Sequence, residues 1–186
     1  MVRARTAFLV AALACGAASL AAAQGSGGAA PAAKAAATPG DVVVNKFMTY
    51  NPDTKRVVLK LLAAFGSDNG GMNFNGGSKG AQTITVPQGW SVHVDFQNKD
   101  AIPHSAIIIP DKMPLPMAPD TPAIPGAYTK DVTGGMPTDG TDTMDFKTKT
   151  AGKYLIACGV PGHAPSGMYI NFVVSATAKV PSYSMK

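Results

Sequence analysis

The stretch Cys158-Gly159-Val160-Pro161-Gly162-His163-Ala164-Pro165-Ser166-Gly167-Met168 puts a thiolate, an imidazole and a thioether within eleven residues, spaced C-x4-H-x4-M. Its glycines and prolines make it a loop, and a strand-like run from Lys153 to Cys158 leads into it. A Cys or a Met taken singly is ordinarily a core residue. Three soft or borderline donors at one turn point instead to a metal. Thiolate and thioether favour Cu(I) while imidazoles also accommodate Cu(II), so the set suits copper with Met168 as a weak axial ligand. Zinc is the nearest competitor, but it rarely needs Met, and short structural zinc loops normally use at least two Cys. A trigonal His2Cys site needs a second imidazole from outside the loop. His104, in Pro103-His104-Ser105, is the candidate.

Outward from this loop the pattern is β. In Lys153–Cys158, Tyr154, Ile156 and Cys158 share one face, which aims the thiol inward, and Met168 opens a following strand, Tyr169 to Ser175. Upstream, Val42 to Tyr50 and Arg56 to Phe65 flank the turn Asn51-Pro52-Asp53 and predict a hairpin. Gln82 to Val86 and Ser91 to Gln97 follow, then Ser105 to Ile109 and Thr143 to Thr148. In Ser91–Gln97 the apolar Val92, Val94 and Phe96 alternate with His93 and Asp95, which places His93 on a polar surface and away from any metal. The chain has eleven acidic residues, all of them Asp, and no Glu, which disfavours long surface helices. About eight short strands separated by turn residues predict an all-β antiparallel sandwich.

Pro110 to Gly140 is crowded with Pro and Gly and is expected to be a long loop without regular structure. It holds Met113, Met117 and Met136, which offer a possible second Cu(I) site or, more simply, thioethers packing the loop onto the sandwich.

The N-terminus divides the chain further. Residues 1–23 read as an export signal, with Arg3 and Arg5 before an apolar Thr6–Leu20 segment and Ala21-Ala22-Ala23 as the cleavage site. Two alternatives are retention as a membrane anchor, for which the segment is short and Ala-rich, and lipidation of Cys15. Residues 24–40 are an Ala/Gly/Pro-rich linker without the residues to build a core. A folded domain over 41–181 and a peripheral tail, 182–186, complete the expected organisation. Cleavage would leave Cys158 as the sole thiol, a liability in an oxidising compartment that metal ligation removes. The 16 basic residues exceed the 11 acidic ones, but Arg3 and Arg5 belong to the signal, and no basic run with interleaved aromatics supports nucleic-acid binding.

The pattern Gly152-x-Tyr154-x3-Cys158-x4-His163-x4-Met168, with Pro103-His104-Ser105 upstream, resembles the cupredoxins, the type 1 blue copper proteins. Within them, Phe74-Asn75-Gly76, Ile84-Thr85-Val86-Pro87, Ala157-Cys158-Gly159, Gly162-His163-Ala164 and Gly167-Met168 are most similar to the sulfocyanins, with the rusticyanins next. The similarity covers roughly Val42 to Pro181. It implies a Greek-key sandwich with one copper ion at one end, held by His104, Cys158 and His163 with Met168 axial. It also implies one-electron transfer through the edge of His163 to a cytochrome or terminal oxidase, outside the cytoplasm. The Met- and Pro-rich loop matches no motif of these families, and the N-terminus looks cleavable where sulfocyanins are familiar with a membrane anchor.

The expected product is a monomeric electron carrier rather than an enzyme. Copper oxidases and nitrite reductases need further His-rich sites, and only His93, His104 and His163 are present. A Cys–His hydrolase lacks an evident acid to orient the His. A copper chaperone or storage protein working through Met113, Met117 and Met136 is the alternative.

Overall fold

The computed structural model describes residues 38–186. The expected signal, 1–23, and the linker up to residue 37 lie outside the described residues. Ten strands follow: β1 (Val42–Asn45), β2 (Met48–Asn51), β3 (Arg56–Ala63), β4 (Gln82–Pro87), β5 (Ser91–Asn98), β6 (Ile107–Pro110), β7 (Thr141–Lys147), β8 (Gly152–Ala157), β9 (Tyr169–Ser175) and β10 (Ser182–Met185). One sheet has the order β1-β2-β3-β5-β7 and the other β10-β4-β9-β8-β6. The two facing sheets form the all-β cupredoxin-like sandwich that the sequence predicts.

Three details differ from expectation. The sheets are mixed, because β3 runs parallel to β5 and β4 parallel to β9. Val42–Tyr50 is two strands, since Asn45 Oδ1 accepts hydrogen bonds from the N–H groups of Phe47 (2.8 Å) and Met48 (3.0 Å) and turns the chain there. The expected tail, 182–186, is instead β10, paired antiparallel with β4. Tyr183 fixes it by donating its hydroxyl to Gln82 Oε1 at 2.6 Å.

Period-two alternation builds the main core. Val57, Leu59 and Leu61 of β3 and Val92, Val94 and Phe96 of β5 face Ile84 and Val86 of β4 and Ile170, Phe172 and Val174 of β9, all fully or almost fully buried. Strands β6 and β8 are apolar on both faces. Ile108 and Ile156 belong to the main core, while Ile107, Ile109, Leu155 and Ala157 form a second cluster with Ala164, covered by Leu115 and Val132 of the Pro-rich loop. That loop contains no strand, as expected, but it lies on the sheet as a third layer. Ile108 donates to Ala127 O (2.9 Å), and Ala123 and Thr129 donate to Ile108 O (2.8 Å) and Ala106 O (2.9 Å). The free edge of β6 is thereby satisfied.

His93 is a correction. The alternation does turn it away from Val92 and Val94, but it is only 8% exposed. Its two ring nitrogens lie 2.8 Å from Asp145 Oδ1 and 3.2 Å from Asp95 Oδ1. Two carboxylates on neighbouring positions of the sheet cover a ring that pattern alone assigns to solvent.

Candidate metal centre

Strand β8 ends at Ala157 and delivers Cys158 to the end of the sandwich, on the core-facing side and fully buried. The loop then returns on itself. Its N–H and C=O groups close in pairs, Cys158 N–H to Met168 O and Met168 N–H to His163 O, each at 3.0 Å. Gly162 and Gly167 take φ of +85° and +102°, a conformation that side chains disfavour. The second half of the site comes from the segment between β5 and β6. Asn98, fully buried, donates to Ile102 O (2.8 Å) and Met136 O (2.9 Å) and accepts from Asp100 N–H (2.9 Å). His104 follows, locked to Met136 by reciprocal backbone bonds of 3.3 and 2.7 Å.

The three expected donors converge. Cys158 Sγ lies 3.4 Å from His163 Nδ1 and 3.9 Å from His104 Nδ1, and the two Nδ1 atoms are 3.2 Å apart. The donor atoms all fall within 4.8 Å of one another, a spacing that one ion can span. Met168 is completely buried in the same core cluster as Cys158, and its backbone is tied to both loop donors. Met113, Met117 and Met136 do not share an environment. Met136 is in the core, whereas Met113 and Met117 are 60% and 65% exposed.

Electrostatics fit a soft, desolvated metal. Burial pushes the Cys158 thiol above its ordinary value, opposed by the Ser105 and Val160 N–H groups. The Ser105 N–H donates to the sulfur at 3.4 Å. Burial also lowers both histidines, His104 against the pull of the Asp100 carboxylate and His163 with added repulsion from His104. Neutral imidazoles are the form a metal takes. A buried thiol with a raised pKa is the opposite of an activated nucleophile, which weighs against hydrolase chemistry. Two imidazoles, one inward thiol and a buried thioether fit copper, while among the described residues only one Cys is available to a zinc site.

Two contributors escaped sequence reasoning. Asp100 Oδ2 sits 3.3 Å from His104 Nε2 and orients the ring with Nδ1 toward the sulfur. Burial raises the Asp100 carboxyl, but bonds from His104 and the Ala101 and Ile102 N–H groups outweigh it and bring it below its ordinary value. The only signal was the four-residue spacing to His104. The Ser105 hydroxyl accepts from Gly159 N–H (2.9 Å) and donates to Val132 O, joining both ligand segments to the Pro-rich loop. That loop packs so closely that a Cβ on Gly159 would fall 2.2 Å from Val132 Cγ1 and 2.8 Å from Val132 O. Only Gly fits there.

Comparison with known proteins agrees with this geometry. The family profile of the sulfocyanin (SoxE) domain matches residues 43–185. The sulfocyanin of Sulfolobus acidocaldarius is 31% identical over 143 residues, covering 71% of this chain and 70% of that protein. A rusticyanin mutant solved by crystallography superposes with a TM-score of 0.50 at 25% identity, over 73% of this chain and 87% of that one. Reduced rusticyanin gives 0.46 at 27% identity, over 65% and 85%. The family match spans nearly every described strand and the whole of both donor segments, and the chain belongs to the sulfocyanin family of cupredoxins.

Proposed function

We propose that this chain is a type 1 copper electron carrier in which His104, Cys158 and His163 would hold one copper ion, with the Met168 thioether as a further, weaker donor. The observation that carries the reading is the convergence of three donors from two segments 54 residues apart in the chain. Copper, when bound, supplies a one-electron couple between Cu(I) and Cu(II). The protein holds the donors still. Asp100 sets the His104 ring, Ser105 sets the thiolate, and Pro161 has no N–H to offer the sulfur.

Electrons enter and leave at His163, the donor ring that is only half-buried, with the exposed Pro161 and Pro165 beside it on its loop and Met117 next to it through a carbonyl that accepts from Gly162 N–H at 2.7 Å. A modest apolar patch suits the small interfaces of transient redox encounters. The partners are respiratory proteins such as a cytochrome or a terminal oxidase, met by a monomer outside the cytoplasm. Residues 1–23 act as an export signal cleaved before Gln24, and 24–40 form the linker that precedes the copper domain.

The test is the visible spectrum of the Cu(II)-loaded protein. A strong thiolate-to-copper band is expected, and it should be absent in Cys158→Ser. Met168→Leu should keep the colour and raise the potential, because loss of the thioether disfavours Cu(II). A colourless wild-type protein with tight Cu(I) binding would sink the carrier reading.

A further inference from the structure

The Pro-rich segment between β6 and β7 carries a turn that touches both halves of the metal centre. Asp131 closes it, accepting Gly134 N–H on Oδ1 (2.8 Å) and Gly135 N–H on its backbone oxygen (3.1 Å). Gly135, at φ +76°, sits so close to the donor segments that a Cβ there would fall 2.9 Å from Pro103 Cβ and Val160 Cγ2 and 3.0 Å from His104 N. Val132 lies in the same turn, with its side chain packed on the apolar cluster that contains Ala157 and Ala164. Its carbonyl points at Ser105.

The Ser105 hydroxyl has one proton to give and two acceptors within reach. Its oxygen lies 2.5 Å from Val132 O and 3.8 Å from Cys158 Sγ, so the proton belongs to the carbonyl. Its lone pairs take Gly159 N–H at 2.9 Å. Ser105 is completely buried, and bulk solvent does not compete for the proton.

A hydrogen bond to a thiolate draws charge from the sulfur, weakens its donation to Cu(II) and so favours Cu(I). The Ser105 N–H already makes such a bond, at 3.4 Å. The hydroxyl, if it were free to turn, would add another.

We propose that Val132 is a positioning residue for the thiolate: its carbonyl holds the Ser105 hydroxyl off the sulfur and thereby lowers the reduction potential of the site. This role, which rests on copper being held by Cys158, requires the carbonyl to stay where the turn places it. Gly159 permits that placement, since a Cβ on it would fall 2.2 Å from Val132 Cγ1, 2.8 Å from Val132 O and 3.0 Å from Pro119 O. A side chain at position 159 pushes the carbonyl away and releases the hydroxyl.

The test has a copper-free arm and a copper-loaded arm. In the metal-free protein, NMR follows the carbonyl carbon of Val132 in wild type and in Ser105→Ala. Loss of the O–H bond should move its resonance upfield, and an unmoved resonance overturns the proposal. In the Cu(II)-loaded protein, Gly159→Ala should raise the potential and shift the thiolate-to-copper band to shorter wavelength, because a sulfur that accepts a further bond holds its electrons more tightly. Gly159→Ala/Ser105→Ala, which has no hydroxyl to turn, should match Ser105→Ala in both readings. A rise that persists in the double variant belongs to strain at residue 159 and overturns the proposal, as does a Gly159→Ala protein with the wild-type potential and band. Should Gly159→Ala fail to fold, the copper-free arm decides. Absence of the band from the wild type is the separate failure of the copper reading, whatever the Val132 resonance does.

Discussion

His93 and His104 are both buried, and each carries an Asp carboxylate on a ring nitrogen, yet only one is built to bind a metal. In the His93 region, on the outer face of β5, the two nitrogens are taken by Asp145 and Asp95. In the His104 region, beyond the end of that strand, Asp100 takes Nε2 and leaves Nδ1 facing Cys158 and His163. Burial and an acidic neighbour therefore do not distinguish a ligand from a structural histidine. The free nitrogen does, and what frees it is a turn that lifts the ring off the ladder of side chains on a sheet.

The largest effect that separates the two regions is expected on the ligands themselves. His104→Ala should eliminate the thiolate-to-copper band, whereas His93→Ala should leave colour and potential unchanged; loss of colour in the latter would erase the distinction. Their carboxylates should separate next. Asp100→Asn should weaken copper binding about 10- to 100-fold, measured by competition with a chelator. Asp145→Asn should leave that affinity alone and lower stability by about 1 kcal/mol, read by denaturant unfolding, since the carboxylate is mostly exposed.

The smallest effect is one of pH on the metal-free protein. Burial lowers His104 and His163 from 6.5, so the unfolded chain binds more protons and stability falls as pH drops below about 6.5. Burial raises Cys158 from 9.0, so the folded state holds its proton longer and stability falls as pH rises above about 9. A melting temperature that peaks between these limits is expected. His104→Ala should shallow the acid limb, and a limb of unchanged slope would transfer the effect to other groups.

The donors were legible because the reasons for them are local. Cys158, His163 and Met168 sit in one loop with a spacing that few other roles require, and His104 stands beside a proline in a turn. Asp100 was not legible, since its role depends on Asn98 folding the segment back on itself. His93 was placed on the correct face by its period but wrongly exposed, because period-two geometry says which way a side chain points and not what neighbouring strands lay over it. The parallel pairings of β3 with β5 and β4 with β9 were hidden for a similar reason: a strand's own residues do not name the direction of its neighbour. Strand β10 is four residues without a continuous apolar face, and it is a strand by virtue of the β4 edge it meets.

That last pairing has a consequence for how the protein can be trimmed. A chain stopped at residue 181 would keep every donor, but it would uncover the hydrogen-bonding groups of Gln82–Thr85 and strip the Gln82 side chain of its phenolic partner. An open strand beside a buried glutamine invites a second copy to supply what is missing, so shortened forms should self-associate through β4 even while they remain blue.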